Sequence, residues 1–417
     1  MLPRVALLFP LAAISCSLLS DLDSLKGTAD AAAGGGGGTP DGGGASGAAG
    51  NSTGGSSTGG TSSGGSGGSV IDAGCDSGGT TCGGECVDTL SAPKHCGGCG
   101  IDCGAATCTN GICGSELVVQ QRCHGLTANG TTLYFVNDGP GATATAGLYS
   151  VDIAPSAALP ATPTPLATGS AYAGAAYVTA AGPDVFFTAF DSDAVIKWSP
   201  SDTTPFFQAS GHAPWDIEAR DGAVYWTAHG GHALQRRAAS GATAAEVLLN
   251  ASTFAPRHLA LDGSSVFYTD DVAGKVGRYD LTTQADSPVW NNMTEPYGVD
   301  AVTSSNGPTR VAVTRRNGAD VLELSSGTWT LFKLADVAPL TSGNFRGGDL
   351  QIAGEDAYWT LHVAGTAGRL MRRRLDRTSP ALVLFTSDSL EAVGVTLTPT
   401  HAYFCTSADL RRIRIAL

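Results

Sequence analysis

Positive charge is scarce in this sequence. Lys and Arg number 24 against 37 Asp and Glu, which gives a net charge of −13 and an isoelectric point near 4.9. Such an acidic balance argues against nucleic acid as a partner. After residue 15, no apolar run approaches the length needed to span a bilayer, so the rest of the chain is expected to be soluble.

Catalytic motifs are also lacking. Outside a Gly/Ser-rich stretch the sequence has no Gly-x-Ser-x-Gly, and it has no His-Glu-x-x-His and no phosphate-binding loop. Its eight histidines do not recur at one position of the repeat described below, as a metal site on a common axis would favour. We therefore predict no catalytic residue, no metal ligand and no cofactor.

Residues 1–15 are typical of an export signal, with a short positive start followed by an apolar stretch. The tripeptide Ala13-Ile14-Ser15 precedes Cys16, and this arrangement resembles a bacterial lipobox. The resemblance implies that the thiol of Cys16 carries a lipid and that this residue becomes the new N-terminus. Ala13 stands where lipoboxes prefer Leu, so cleavage before Cys16 without lipidation stays open as the alternative.

Residues 16–74 are predicted to be a flexible tether. The stretch 27–70 consists almost entirely of Gly, Ser, Ala and Thr, which cannot bury enough apolar surface to offset chain entropy. A Gly-rich segment of this length has a typical end-to-end span of about 35–40 Å. A lipid at one end and a folded region at the other would suit it. Ser17 after the cysteine favours the outer membrane, by the habit of lipoproteins.

Residues 75–114 are predicted to be a small disulfide-rich module. An even number of cysteines in a short exported segment with little apolar content indicates a disulfide framework, whose connectivity the sequence does not give. The alternative is a zinc site that uses the Cys96-Gly-Gly-Cys99 pair with His95. The eight cysteines are Cys75, Cys82, Cys86, Cys96, Cys99, Cys103, Cys108 and Cys113.

From about residue 135 to the end, one short pattern recurs seven times. An apolar strand is followed by a turn, an aromatic pair that ends in Thr or a near substitute, a loop with Gly and an Arg-rich strand. Tyr225-Trp226-Thr227, Phe267-Tyr268-Thr269 and Tyr358-Trp359-Thr360 are the clearest copies. The anchor residues lie 39 to 52 positions apart, which is typical of four-stranded propeller blades. These anchors are Phe135, Phe187, Trp226, Tyr268, Val313, Trp359 and Phe404.

We predict an all-β fold in which residues 115–417 form a seven-bladed β-propeller. The last repeat ends after its third strand, and an unassigned strand at about 116–121 precedes the first repeat. If that strand docks on the last blade, the ring closes and no sheet edge stays open.

Two further cysteines fall in the first and seventh repeats. Cys123 takes the place of a proline that leads into other inner strands, and Cys405 takes the place of the Thr after the aromatic pair. Because these blades are neighbours in a closed ring, a disulfide between them would clamp the seam. The alternative is two buried thiols that act as small apolar residues.

Propellers place their working residues on the segments that lead into the inner strands, around one mouth of the central channel. Aromatic and Arg side chains at these positions are typical of binding surfaces, although packing of the rim would also account for them. The candidate ligand-binding residues are His124, Tyr177, Trp215, Arg257, Tyr297, Arg346 and Asp349.

The repeats resemble the YWTD and NHL propeller families in the Tyr-Trp-Thr signature, in the Pro-x-x-aliphatic start and in the Gly-x-aliphatic-x-Arg third strand. The resemblance implies a platform that binds a protein or a glycan. A minority of such propellers are enzymes, and this implies the alternative of a lactonase-like hydrolase or lyase with one divalent cation, Ca²⁺ or Zn²⁺, in the channel. The Cys-Gly-Gly-Cys-Gly segment is similar to modules that follow Gly/Ser linkers in bacterial envelope proteins. We therefore expect an exported monomer that contacts the membrane only through its lipid.

Overall fold

Short β-strands make up almost all of the regular structure. The computed structural model describes Cys75 and residues 79–139, 145–303, 307–339 and 343–415. The predicted signal segment, the tether and Cys16 lie outside the described residues. Helical structure in the described part comprises two single 3₁₀ turns, Ser170–Tyr172 and Phe190–Ser192, and no helix there is long and apolar enough to cross a membrane.

The cysteine module consists of two small hairpins held by disulfides. The hairpins are β1 (Thr80–Cys82) with β2 (Glu85–Val87) and β3 (Cys108–Thr109) with β4 (Ile112–Cys113). Four disulfides supply the stabilisation that a segment with so few apolar residues needs, and they confirm the predicted framework. They join Cys75 to Cys86, Cys82 to Cys99, Cys96 to Cys108 and Cys103 to Cys113. The Cys96-x-x-Cys99 pair is thus divided between two disulfides, which contradicts the zinc alternative.

Seven four-stranded antiparallel sheets follow the module. Six run in sequence order from the inner strand outward, and the seventh takes its outer strand from the segment before the first blade. The first four blades, inner strand first, are β6 (Leu126–Asn129), β7 (Thr132–Asn137), β8 (Gly147–Asp152) and β9 (Thr164–Thr168); β10 (Ala175–Ala181), β11 (Asp184–Ala189), β12 (Ala194–Ser199) and β13 (Asp202–Gln208); β14 (Pro214–Arg220), β15 (Ala223–Ala228), β16 (Ala233–Ala238) and β17 (Glu246–Asn250); and β18 (Pro256–Asp262), β19 (Ser265–Asp270), β20 (Lys275–Asp280) and β21 (Ala285–Trp290). The last three are β22 (Val299–Thr303), β23 (Thr309–Arg315), β24 (Gly318–Ser325) and β25 (Thr328–Asp336); β26 (Arg346–Ala353), β27 (Asp356–Val363), β28 (Ala367–Arg374) and β29 (Leu382–Ser387); and β30 (Ala392–Leu397), β31 (His401–Thr406) and β32 (Leu410–Arg414) with β5 (Glu116–Val119).

The ring closes as the sequence predicts. β5 supplies the outer strand of the seventh blade and pairs antiparallel with β32. The Arg412 guanidinium donates to the Glu116 carboxylate at 2.7 Å, so an ion pair supports the backbone ladder. Each inner strand also contacts the inner strand of the next blade, and β30 contacts β6. The predicted seven-bladed propeller is therefore confirmed.

The repeated aromatic pair forms the core between blades. Trp226 and Trp359 are fully buried, and the hydrophobic cluster between the second and third blades packs Phe186, Ile217 and Trp226 together. Each large aromatic ring covers much apolar area, and a propeller needs flat residues at the same height of every blade.

The Thr after the aromatic pair has a separate task, which the blade at Thr227 illustrates. Its hydroxyl accepts a hydrogen bond from the backbone N–H of Asp216 in its own blade and donates one to the carbonyl of Arg257 in the next blade. The inner strand bulges at this point, and the hydroxyl satisfies backbone groups that the interrupted ladder leaves open. Five successive blade junctions have this donated bond, from Thr188, Thr227, Thr269, Thr314 and Thr360.

The remaining two junctions use other chemistry. Val136 occupies the Thr position of the first blade, and there Nδ1 of His124 lies 3.0 Å from the carbonyl oxygen of Ala176 in the second blade. Cys405 occupies that position in the seventh blade, and the structure joins it to Cys123 of the first blade in a disulfide. A covalent bond thus stands at the seam where the chain closes the ring.

Candidate ligand-binding site at the mouth of the channel

All inner strands start at the same face of the ring. Because neighbouring strands are antiparallel, this face carries both the loops that lead into the inner strands and the loops that join second and third strands. We call it the mouth face, and we call the opening of the central channel on it the mouth.

Alternation along the inner strands decides which side chains face the channel. Ile217 pairs with the anchor Trp226 and packs in the core, so the residue before it, Asp216, points to the opposite side. The equivalent residue is large and polar in four blades, namely Tyr177, Asp216, His258 and Asp349, and it is Gly in the other three. Gly is required at Gly394 because a Cβ there would collide with the carbonyl oxygen of His124. Three of the four, Tyr177, Asp216 and His258, therefore come from consecutive blades, the second to the fourth.

Three of these side chains form a continuous chain across three consecutive blades. Nδ1 of His258 lies 3.3 Å from Oδ2 of Asp216, and Nε2 of His258 lies 3.2 Å from the hydroxyl of Tyr177. The carboxylate can only accept, so Nδ1 of His258 carries a proton. In the neutral tautomer that this assigns, Nε2 accepts from the Tyr177 hydroxyl. Burial raises the pKa of Tyr177 well above its usual range, which keeps the phenol protonated at neutral pH. The arrangement can orient a phenol O–H and can move a proton along one line.

Arg257 lies between two aromatic rings at the surface of the mouth. Its guanidinium is 4.8 Å from the ring centroid of Trp215 and 5.9 Å from that of Tyr297, and its Nε donates to the Asp271 carboxylate at 2.7 Å. Burial lowers the pKa of Arg257, but Tyr297 and Asp271 outweigh it, so the net pKa is raised. The side chain stays cationic, half-buried and held in one orientation.

His124 completes the aromatic group. Its ring packs edge-on at 5.3 Å from the ring of Tyr177 and 6.0 Å from that of Trp215. Burial lowers its pKa, so the imidazole is neutral at physiological pH. This agrees with its Nδ1–H donating to the backbone of the neighbouring blade.

Arg346 lies at the start of β26, directly opposite His362 in the register. Burial, followed by the positive charge of Arg346, lowers the pKa of His362 to about 4. His362 was not predicted from the sequence as a mouth residue. It adds a second neutral imidazole to the mouth.

Asp349 lies deeper than its sequence position suggested. Its carboxylate accepts from the backbone N–H of Leu350 in its own strand and from that of Val395 in the next blade. Asp216 and Asp300 make the same pair of bonds. Burial raises the pKa of both Asp349 and Asp300 to about 7. Each of these carboxylates therefore links the inner strands of two neighbouring blades by hydrogen bonds, which is a structural role.

The divalent-cation alternative does not fit the described side chains. The channel aspartates point their oxygens at backbone N–H groups. In the part of the chain that the structure describes, one group of three Cys, His, Asp or Glu ligand atoms falls within 4.8 Å, namely Cys96, Cys103 and Cys113, and all three are in disulfides.

The structure thus brings five of the seven predicted mouth residues into one group, namely His124, Tyr177, Trp215, Arg257 and Tyr297. Arg346 lies beside His362 at the rim, and Asp349 lies inside the channel. Sequence reasoning missed His258, Asp216 and Asp271 as members. The signal for the first two was present, since each directly precedes the aliphatic residue that pairs with an aromatic anchor.

Comparison with known proteins finds similarity of fold. No protein-family model matches the chain, and no curated protein matches it. A solved structure of virginiamycin B lyase from Staphylococcus aureus is 16% identical, with a TM-score of 0.56, over 72% of this chain and 97% of that one. The WD40 repeats of RRP9 are 10% identical, with a TM-score of 0.55, over 71% of this chain and 94% of that one. YCF48 from Cyanidioschyzon merolae is 9% identical, with a TM-score of 0.50, over 72% and 98% of the two chains. These likenesses show the fold alone.

Proposed function

We propose that this protein is a binding platform and that the mouth holds a macromolecular ligand, a protein or a glycan. The observation that carries the proposal is the position of Arg257 between Trp215 and Tyr297. Aromatic and Arg side chains dominate the energy of binding surfaces because they combine large contact area with few rotamers to immobilise. Here the ion pair with Asp271 holds the guanidinium in place before a ligand arrives, which lowers the entropic cost of binding.

The test compares two arginines in matched surroundings. Arg372 lies 5.5 Å from the ring of Tyr358 and 2.7 Å from the Asp356 carboxylate, as Arg257 does with Trp215 and Asp271, but it lies on a third strand away from the mouth. Arg257→Ala, alone and with Tyr297→Ala, should abolish capture of the ligand from cell-envelope fractions. Arg372→Ala should lose similar stability and capture normally. Equal capture by all variants would refute the proposal.

A second candidate is an enzyme of the lyase or hydrolase type. Two observations favour it, the Asp216–His258–Tyr177 chain and the fold similarity to virginiamycin B lyase, one structure of which contains quinupristin. A His that is oriented by a carboxylate and bonded to a hydroxyl is the arrangement of a general base. Conversion of quinupristin by the full chain, abolished by Tyr177→Phe, would support this candidate. Absence of conversion in the presence of Mg²⁺, Ca²⁺ or Zn²⁺ would count against it for that substrate.

We further propose that the protein is exported and held at the cell envelope, in the outer membrane, by a lipid on Cys16. Five disulfides in the described residues are consistent with an oxidising compartment. The tether would give the binding platform freedom to search near the membrane, and the protein would work as a monomer.

A further inference from the structure

A cleft of about 420 Å³ opens on the face opposite the mouth, at the seam between the seventh blade and the first. One wall is formed by the cysteine module, which belongs to the same compact unit as the propeller. The other walls are the turn between β30 and β31, the end of β32 and the turn between β6 and β7. Small-molecule sites have volumes of about 300–1,000 Å³, so the cleft has room for a small ligand.

Polar side chains on one face of the seventh blade line this cleft. Arg412 and Arg414 are two residues apart on β32, so both leave the strand on the same face. Directly opposite them on β31 lie Tyr403 and His401. Arg412, Arg414 and His401 are all partly exposed, and the side chain of Arg412 keeps 20% of its surface accessible. A ligand in the cleft can therefore reach these three side chains.

Comparison with the other blades shows what is unusual about this face. Five blades, the seventh among them, have Lys or Arg opposite the residue that precedes the aromatic anchor. Each of these cations has an acidic partner, in the ion pairs Lys197–Asp184, Arg236–Glu246, Arg278–Asp280, Arg372–Asp356 and Arg412–Glu116. In the second and sixth blades the acid stands at the position that His401 occupies in the seventh.

The cleft consequently has an excess of positive charge. Among the described residues, Glu116 is the one acid in its lining, and it accepts from Nε of Arg412 at 2.7 Å. Arg414 has no acid within ion-pair distance in the part of the chain that the structure describes. Burial, followed by the charges of Arg412 and Arg414, lowers the pKa of His401 to about 4, so this imidazole is neutral at pH 7. An anion near the two guanidinium groups would offset their effect on it.

We propose that the cleft binds the phosphate group of a small phosphomonoester. Guanidinium groups bind phosphate strongly, because two parallel N–H donors match two of its oxygens. Two guanidinium groups less one carboxylate leave one positive charge, and His401 can hold a second once an anion is bound. A phosphate dianion therefore matches the cleft better than a singly charged carboxylate does. Ile153 and Pro155 give the organic part of the ligand an apolar wall.

This site is separate from the mouth and goes beyond the binding function proposed above. Its first test is calorimetric titration of the full chain, exported with its disulfides, with glycerol 3-phosphate and with glycerate as the carboxylate counterpart. One glycerol 3-phosphate should bind per chain, and glycerate should bind at least about 10-fold more weakly.

A lipid headgroup could supply the same phosphate group. Vesicles of phosphatidylcholine with and without phosphatidic acid distinguish this source, with Cys16→Ser in the full chain so that the proposed lipid anchor does not carry the protein to the vesicles. Binding of free glycerol 3-phosphate identifies a soluble phosphomonoester. Binding that requires phosphatidic acid in the vesicle, without binding of the free ester, identifies the lipid.

Two substitutions at equivalent strand positions test the residues. Arg414→Gln should weaken phosphate binding about 10- to 100-fold, the effect of a lost hydrogen bond between charged groups. Arg374→Gln is the matched control, because Arg374 holds the same position in the sixth blade but pairs with Asp376 and lies outside the cleft. It changes the net charge equally and should alter the affinity by less than about 2-fold.

A third variant restores the pattern of the other blades. His401→Asp gives the seventh blade the acid that the second and sixth blades have, so it should fold normally and abolish phosphate binding. Near-UV circular dichroism checks the fold.

The outcomes decide the inference. Equal loss of affinity with Arg374→Gln and Arg414→Gln would reflect net charge alone and overturn the site. Glycerate that binds as tightly as glycerol 3-phosphate would overturn the phosphate assignment, and failure of both phosphate probes to bind would overturn the inference altogether. None of these results bears on the mouth, which Arg257→Ala tests independently.

Discussion

At the scale of single residues, one hydroxyl explains why the repeat ends in Thr. The aromatic pair is needed for packing between blades, but packing alone would accept Val or Ala in the third position. Thr227 is fully buried, and its hydroxyl bonds the backbone of two blades at once. The sequence signature thus meets two physical requirements. The aromatic pair buries apolar area between blades, and the Thr hydroxyl satisfies backbone groups that the bulge leaves without a partner.

Replacement of Thr227 by Val tests this explanation. Val has nearly the same shape but leaves the N–H of Asp216 and the carbonyl of Arg257 without a partner. At about 1–3 kcal/mol for each buried orphan, the free energy of unfolding should fall by about 2–4 kcal/mol. Thr164→Val, at an exposed position of an outer strand, should stay within about 0.5 kcal/mol. Denaturant unfolding followed by Trp fluorescence measures both, and equal effects would contradict the explanation.

His362 makes stability depend on pH in a definite direction. Its pKa is lowered from 6.5 to about 4, so the unfolded chain takes up a proton before the folded one does. The stability from the neutral imidazole is complete above pH 6.5 and is lost as the pH falls toward 4. Between about pH 7.5 and 5, wild type should lose about 2 kcal/mol more than His362→Phe. Parallel losses in the two proteins would show that this imidazole is not held neutral.

Part of the candidate site was accessible from the sequence, and part was not. The mouth positions of Trp215, Arg257 and Tyr297 follow from the repeat, because each lies two residues before the aliphatic residue of an inner strand. Asp271 and His362 come from other strands or loops of the blades and reach the mouth only through the fold. The depth of Asp349 also depends on a bulge, which the alternation of residue types does not reveal.

At the scale of elements, the strand at the start of the propeller, β5, closes the ring by pairing with β32 of the last blade. β5 is remote in sequence from β32, yet it could be predicted because the last repeat lacked an outer strand and one apolar strand was left over. The chemistry of the seam was harder to predict, since it departs from the Thr pattern of the other blades. At the two junctions without Thr, the neighbouring blades are joined by His124 and by the Cys123–Cys405 disulfide.

The seam disulfide should carry a large share of stability. Its cysteines are 282 residues apart, whereas those of Cys103–Cys113 are 10 apart, and a cross-link restricts the unfolded chain more when its loop is long. Cys123→Ala with Cys405→Ala should lower the unfolding free energy of the propeller by about 2–5 kcal/mol.

The matched control is Cys103→Ala with Cys113→Ala. All six tryptophans lie in the propeller, so Trp fluorescence should report little change from this loss in the module. Peptide mapping of the unreduced protein should find Cys123 linked to Cys405. Free thiols at both positions would show that no disulfide joins the first and seventh blades.

At the scale of the whole molecule, the ring is uneven. Seven blades repeat one backbone, but the first five supply the group of His124, Tyr177, Trp215, Arg257 and Tyr297, while blades six and seven have Gly348, Val393 and Gly394 at corresponding positions. Arg346, His362 and Asp349 are the large polar residues of blade six. A symmetric scaffold needs only packing residues, so the uneven mouth is where ligand specificity would reside.

Anchoring belongs to the same scale. Cys16→Ser should move the protein from the membrane fraction to the soluble fraction of the cell envelope, because one residue holds the proposed lipid. Ser17→Ala should stay membrane-bound. Metabolic labelling with a radioactive fatty acid tests whether Cys16 carries a lipid. If the wild-type protein takes up no label, the protein is exported without a lipid.

The most direct test of the account is hydrogen–deuterium exchange of the full chain with and without a ligand that it captures. The account predicts slower exchange in the segments that lead into β14, β18 and β22, around Trp215, Arg257 and Tyr297. The hairpins of the opposite face, such as 398–400, should exchange as before. Protection confined to that opposite face, or to the cysteine module, would contradict the claim that the mouth is the binding site.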